Sequence, residues 1–274
     1  DSRNLVGYFE RAEGRPKLYT AEWNDDWHHV AHVLATGESE GYYIDYPPDT
    51  AAQMVRALAT GYVYQGERSI FLHDAPRGEP SAHLPPVAFI DFLQNHDQIG
   101  NRAFGERLTT LAAPEAIEAL TAILLLSPHI PLLYMGEEWG ETRPFLFFTD
   151  FHGELGDAVR EGRRGEFERW KSFQDAHHRA EIPDPNAVET FDKSKLDWDK
   201  RDAPEHRARL DYVSGLLALR HREIVPRLAG IGGHAATRQE VDGRCLRVGW
   251  RLGDDSELNV TANLGDAPAP FAAT

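Results

Sequence analysis

Phe92-Leu93-Gln94-Asn95-His96-Asp97-Gln98-Ile99-Gly100-Asn101-Arg102 places an ionisable pair at the end of a hydrophobic run. The residues before it, Pro85-Pro86-Val87-Ala88-Phe89-Ile90-Asp91-Phe92-Leu93, are apolar, few and bounded by prolines, which predicts a buried strand of a parallel sheet. The polar burst then falls at the strand's C-terminal end. In a (β/α)8 barrel functional side chains gather at such ends, so His96 and Asp97 are catalytic candidates. An Asn-Asp turn leading into a helix fits the same spacing.

Outward from this strand the chain alternates. Leu18 to Trp23 is a strand candidate, followed by Asp25-Asp26 and a helix from Trp27 to about Thr36, which Gly37 stops. Thr50 to Leu58 reads as a second helix with Asp49 or Thr50 as its N-cap, ending before Gly61. From Pro114, Ala116, Ile117, Leu120, Ile123 and Leu124 recur at helical spacing until Pro128, and Ile130 to Met135 is the next buried strand. Glu205 to Glu223 is an amphipathic helix with Leu210, Val213, Leu216, Leu217 and Arg220 near one face. Strand, helix, strand in repetition predicts a parallel α/β architecture. After Gly230 the period becomes two: Leu246, Val248, Trp250 and Leu252 share one face, and Leu258, Val260 and Ala262 resume it after the turn Gly253-Asp254-Asp255-Ser256. That is an antiparallel β unit.

The chain has 274 residues, enough for one large domain plus a small one. A formal charge of −15 and a pI near 5.3 argue against nucleic acid, whose phosphates need a clustered basic surface. A neutral sugar is compatible with that surface. The single cysteine, Cys245, cannot form an intrachain disulfide, and a cytoplasmic setting is the simplest reading. No apolar run approaches transmembrane length, so no membrane partner is expected.

The run from Phe92 to Arg102 resembles the end of the seventh barrel strand in the α-amylase superfamily of glycoside hydrolases, which closes in Asn-His-Asp. With Gly105-Glu106-Arg107 it is more narrowly similar to the trehalohydrolase family acting on maltooligosyl trehaloses. Four further stretches agree, in the family's order. They are Ala21-Glu22-Trp23-Asn24-Asp25-Asp26-Trp27-His28-His29 with Thr36-Gly37-Glu38, then Pro131-Leu132-Leu133-Tyr134-Met135-Gly136-Glu137-Glu138-Trp139-Gly140, Phe145-Leu146-Phe147-Phe148-Thr149-Asp150-Phe151-His152 and Ser194-Lys195-Leu196-Asp197-Trp198. The likeness weakens only past about Ile231.

The resemblance implies an α/β fold: the C-terminal part of a (β/α)8 barrel, about strands 6 to 8, over residues 1–229, and the truncated start of a β-sandwich domain over 230–274. It sets the opening Asp1-Ser2-Arg3-Asn4, which has no methionine, just past the fifth strand. A C-terminal fragment is therefore expected, inactive alone because the nucleophile and general acid would precede it. The implied reaction is retaining hydrolysis of the α-1,4 bond next to a terminal trehalose, with no cofactor and in functional pairing with a maltooligosyltrehalose synthase. Retaining glycosidases use a carboxylate pair, and superfamily members add a third, the Asp of Asn-His-Asp. Asp97 is thus the implied transition-state stabiliser and His96 a donor to the sugar, beside Asn95 and Gln94.

Trp23, Asp25, Asp26, Trp27, His28 and His29 form an aromatic and polar cluster suited to a glucan groove, with Trp23, Asp25, Asp26 and His28 as substrate-binding candidates. Asp26 fits an N-cap equally well, and one of the tryptophans fits a core. His28 or His29 with His32 has the spacing of a helical metal pair, yet no third ligand is in view. Glu137 or Glu138 could hold a loop by pairing with Arg102 or Arg107, and Phe145, Phe147, Phe148 and Phe151 divide between subsites and packing. Two rivals share these features: a related α-glucan hydrolase or branching enzyme, and a non-catalytic carbohydrate-binding remnant.

Overall fold

The computed structural model describes residues 3–169 and 175–269. Its principal elements in chain order are β1 (Glu22–Trp23), α1 (Asp25–Thr36), α2 (Ala52–Thr60), β2 (Phe89–Phe92), α3 (His96–Gly100), α4 (Pro114–Leu126), β3 (Ile130–Leu132), α5 (Gly153–Glu166), α6 (Val188–Ser194), α7 (Pro204–Leu219), β4 (Ala236–Asp242), β5 (Cys245–Arg251) and β6 (Glu257–Asn263). They divide into two compact units: Asp1–Leu93 with Ala112–Leu132 and Tyr212–Thr274, and Gln94–Leu111 with Leu133–Asp211.

The first unit holds a parallel sheet in the order β1-β2-β3. Trp23 pairs with Ile90, and Phe92 with Leu132. Phe89 and Phe92 are buried in the middle strand, which explains its nearly unbroken apolar run. Asp91 interrupts that run at no exposure, and its oxygens accept from Asn24 Nδ2 at 2.9 Å and meet His129 Nδ1 at 2.5 Å. The buried carboxylate is thus fully partnered, as burial requires.

Helix α1 starts two residues before its predicted beginning. Asn24 is the N-cap, its side chain accepting from Trp27 N, and this corrects the N-cap reading of Asp26, which lies inside the first turn. Gly37 ends the helix at φ +73°, as its freedom in the left-handed region allows. Ala51, not Asp49 or Thr50, is the N-cap residue of helix α2, and Thr50 Oγ1 accepts from Ala52 N, the first N–H of the helix, at 3.1 Å. The paired part of the first strand is confined to Glu22–Trp23, because Leu18 and Tyr19 are exposed. Likewise only Ile130–Leu132 of the Ile130–Met135 run is paired.

Arg220 shows why a charged residue sits on an apolar helix face. Nη1 donates to Leu125 O at 3.0 Å and Ser127 O at 2.6 Å, while Nη2 donates to His129 O at 2.6 Å. These carbonyls lie at and just past the end of α4, where helical partners run out. Burial lowers the Arg220 pKa to about 10, with Asp91 opposing.

The alternating segment forms an antiparallel sheet in the order β4-β5-β6, with β5 central. Leu246, Val248 and Trp250 are buried, and Trp250 Nε1 donates to Leu58 O of α2 at 3.0 Å. Arg247 is buried on the opposite face, reaching Thr261 Oγ1 at 3.2 Å and Glu240 Oε2 at 3.3 Å. The second unit carries α3, α5 and α6 with long loops between them. Among the described residues no helix is long and apolar enough to cross a membrane.

Candidate active site

The strand-end segment opens the second unit. Gln94 and Asn95 are buried, while the side chains of His96 and Asp97 are 55% and 56% exposed with His96 Nε2 3.4 Å from Asp97 Oδ1. Asn95 is extended at φ −145° and caps α3, its Oδ1 accepting from Asp97 N at 2.8 Å. The turn reading holds: an Asx turn starts a helix, and the same turn presents His96 and Asp97 outward. Asn95 Nδ2 is buried without a hydrogen-bond partner among the described residues.

The segment is framed from three directions. Gln94 Oε1 accepts from Leu108 N at 3.0 Å. Arg163 of α5 donates through Nη2 to Gly100 O at 2.7 Å and Arg102 O at 2.8 Å, fixing the far end of α3. Gly105 sits at φ +62°, and a Cβ there would lie 2.5 Å from Phe145 O, so only glycine permits the approach.

Arg107 has no exposure and donates to Arg143 O at 2.7 Å and Met135 O at 2.9 Å. Arg102 pairs with Glu106 at 3.1 Å. Glu137 and Glu138 act on Arg107 electrostatically, while Arg107 itself holds the loop after β3 through the carbonyls of Met135 and Arg143. A planar guanidinium with several donors suits that task.

Two buried carboxylates of this loop are treated oppositely. Burial pushes Glu141 up, but the N–H groups of Arg143, Asp197 and Thr142 outweigh it and hold its pKa below the usual range. Those bonds run from Arg143 N at 2.9 Å, Thr142 N at 2.8 Å and Asp197 N at 2.6 Å. Glu137 is 2% exposed, and its one backbone donor is Tyr134 N at 3.1 Å. Burial raises its pKa to about 7, opposed by the Tyr134 N–H, Arg209 and the Gln94 side chain. Donor count separates the two. Phe145 is half-buried between Tyr134 and Phe148, at centroid distances of 5.4 and 5.7 Å, whereas Phe147, Phe148 and Phe151 are exposed.

The remaining candidates lie in the first unit, along the start of α1. Trp23 is half-buried with its ring 5.9 Å from that of Phe92, and Asp25 is half-buried. Asp26 has no exposure. Its Oδ1 accepts from Tyr46 Oη and Arg77 Nη2, each at 2.6 Å, and its Oδ2 from Asn4 Nδ2 at 2.7 Å, Val63 N at 2.7 Å and Tyr64 N at 2.9 Å. Arg77, at 6% exposure, was not visible as its partner because 51 residues separate them. His28 is buried, with Nδ1 2.6 Å from Leu93 O and Nε2 3.2 Å from Tyr43 Oη. Trp27 is core at no exposure. His29 is half-buried among aromatic rings, stacked on Tyr46 at 5.1 Å, and desolvation lowers its pKa to about 4. Among the described residues no group of three or more His, Cys, Asp or Glu side chains could hold a metal ion.

Residues 233–274 match a family described as a domain of unknown function, DUF3459. The malto-oligosyltrehalose trehalohydrolase of Rhizobium sp. strain M-11 is 40% identical over 255 residues, which cover 90% of this chain and 40% of that protein. Its counterpart in Deinococcus radiodurans is 39% identical over 243 residues, covering 85% of this chain and 40% of that protein. A crystal structure from Salmonella typhimurium, provisionally described as an α-amylase, has a TM-score of 0.90 at 47% identity, covering 100% of this chain and 46% of its own. The chain thus shares its fold with an α-amylase-family protein and spans about 40% of the length of these curated relatives. Over the 90% of its length aligned with the first of them, the chain belongs to the malto-oligosyltrehalose trehalohydrolase family.

Proposed function

We propose that the protein carrying this chain is a glycoside hydrolase that cleaves the α-1,4-glucosidic bond next to the terminal trehalose of a maltooligosyl trehalose. The products are trehalose and a shortened maltooligosaccharide. The observation that carries this reading is the exposed His96–Asp97 pair on the buried Gln94–Asn95 frame at the end of β2, in a chain 40% identical to a protein named for that activity. In this proposal β1, β2 and β3 are the sixth, seventh and eighth strands of a (β/α)8 barrel over residues 1–229, and 230–274 begin a β-sandwich domain. The enzyme acts in the cytoplasm beside a synthase that makes its substrate.

Hydrolysis passes through an oxocarbenium-like transition state in which positive charge grows at the anomeric carbon. Asp97 supplies negative charge toward it and accepts from sugar hydroxyls, while a neutral His96 can donate to a hydroxyl. Asn95 is buried beneath the pair and supports it, its Oδ1 accepting from Asp97 N at 2.8 Å, rather than meeting the sugar. The pathway is retaining, with no metal or organic cofactor, and neither its nucleophile nor its general acid is assigned to a residue of this chain. Trp23 and Asp25, half-buried at the start of α1, are the remaining substrate contacts. Asp26 and His28, both buried and bonded to protein groups, hold α1 in place rather than meeting substrate.

Asp97→Asn in the complete enzyme tests this assignment, with kcat expected to fall roughly 10²–10⁴-fold and substrate affinity to change little. A variant within about tenfold of the parent would return Asp97 to a turn residue. The description of the Salmonella typhimurium neighbour favours a second reading, hydrolysis of plain α-glucans. Maltopentaose is the substrate that separates the two.

A further inference from the structure

Helix α3 is little more than a single turn, His96–Gly100, and both of its ends are held within the second unit. At the front Asn95 Oδ1 accepts from Asp97 N at 2.8 Å, and at the back Asn101 N donates to Asp97 O at 2.9 Å. The backbone of Asp97 is thus tied on both sides. The Asn101 N–H belongs to the same peptide plane as the Gly100 carbonyl, and that carbonyl accepts from Arg163 Nη2 of α5 at 2.7 Å. The same nitrogen donates to Arg102 O at 2.8 Å. Both carbonyls lie at or just past the end of α3, where helical N–H partners run out and a cationic donor is favoured. Arg163 itself has little freedom. It is 6% exposed, its Nη1 donates to Glu166 Oε2 at 2.9 Å, and its guanidinium carbon lies 4.7 Å from the centre of the Phe167 ring and 5.2 Å from that of Phe147.

We propose that Arg163 is a positioning residue for Asp97: its guanidinium grips the Gly100–Asn101 peptide plane, whose N–H holds the Asp97 carbonyl and so sets the direction in which the carboxylate projects. A helix this short needs such a grip, because forming the first turn fixes several residues for the return of one hydrogen bond. The grip also depends on the shape of the group. A guanidinium is a rigid plane that donates to two carbonyls while its faces lie against aromatic rings, whereas an ammonium is a point charge on a flexible stem. Arg163→Lys therefore keeps the charge at the end of α3 and loses the fixed plane.

The effect on catalysis rests on the trehalohydrolase reading, so the test has one arm without substrate. In that arm, hydrogen exchange over residues 96–104 is compared by mass spectrometry between the complete parent enzyme and Arg163→Lys, with about tenfold faster exchange expected there and none of that gain over β5. Equal rates over 96–104, or faster exchange in both segments alike, would overturn the proposal. In the second arm, kcat on maltotriosyl trehalose should fall about tenfold with KM within about twofold of the parent, because the Asp97 charge matters most in the transition state. A raised KM at constant kcat would overturn it too. Glu166→Gln keeps both carbonyl bonds and should leave kcat within about twofold of the parent; a loss equal to that of Arg163→Lys would place the effect in the ion pair and refute the grip. Added to Asp97→Asn, Arg163→Lys should lower kcat no further, whereas multiplying losses would show that Arg163 acts elsewhere. If the parent cleaves maltopentaose and releases no trehalose, the trehalohydrolase reading fails, and the same comparison of kcat on maltopentaose decides the role of Arg163.

Discussion

Asp26→Asn separates a sugar ligand from a structural hub. The Asp26 carboxylate accepts from Arg77, Tyr46, Asn4 and the N–H groups of Val63 and Tyr64 at full burial. An asparagine has one acceptor oxygen, so one side of the group must become a donor. Placing the new NH2 on the Oδ2 side sets it against three donors. Placing it on the Oδ1 side is better, because the Tyr46 hydroxyl can rotate to accept, yet Arg77 then loses its 2.6 Å partner. The nearest remaining carboxylate is Asp45, whose Oδ2 lies 3.9 Å from Arg77 Nη1. Breaking a buried ion pair from one side costs roughly 3–5 kcal/mol, a large part of the ~5–15 kcal/mol that holds a domain together. At about 2–4 °C per kcal/mol, melting should fall by roughly 10 °C or more. Thermal melting and affinity for maltotriosyl trehalose, measured on the same preparation, make the assay. An unchanged melting temperature with weakened affinity would refute the reasoning and return Asp26 to the sugar site.

Trp27→Ala should cost about 3–5 kcal/mol of folding stability, since the side chain is fully buried, with binding unchanged per folded molecule. Trp23→Ala should instead weaken glucan binding by roughly 1–3 kcal/mol and leave melting nearly intact; the reverse pattern would exchange their roles. Glu137 also predicts a pH effect on stability. Its pKa is raised by burial from 4.5 to about 7, so its contribution is complete below about pH 4.5 and is lost as pH rises through 7. Each pKa unit is worth 1.36 kcal/mol, which makes the loss about 3 kcal/mol. Urea unfolding of Glu137→Gln should gain that amount on the parent between pH 4.5 and 8, and parallel curves would contradict it.

How much was legible in sequence follows from how local each feature is. β2 was readable because burial on both faces leaves an apolar run between prolines and a polar turn, and β5 because its inward residues alternate. β4, Ala236-Thr237-Arg238-Gln239-Glu240-Val241-Asp242, escaped notice since no face of it is strongly apolar; its order comes from pairing with β5. The start of α1 was misplaced by two residues because Asn24, Asp25 and Asp26 are all competent caps, and only the tertiary demand on Asp26 settles which one serves. At the site, the exposed His96–Asp97 pair was visible from its place at a strand end. Its supports were not. Arg107 and Arg163 act on groups 28 to 63 residues away, and such distances leave no periodic trace.

The most direct test of the central claim is product analysis with the complete enzyme that carries this chain, given maltotriosyl trehalose and, separately, maltopentaose. The account predicts free trehalose and maltotriose from the first and little hydrolysis of the second, with both activities abolished by Asp97→Asn. Comparable cleavage of maltopentaose, or cleavage of the first substrate without free trehalose, would contradict it.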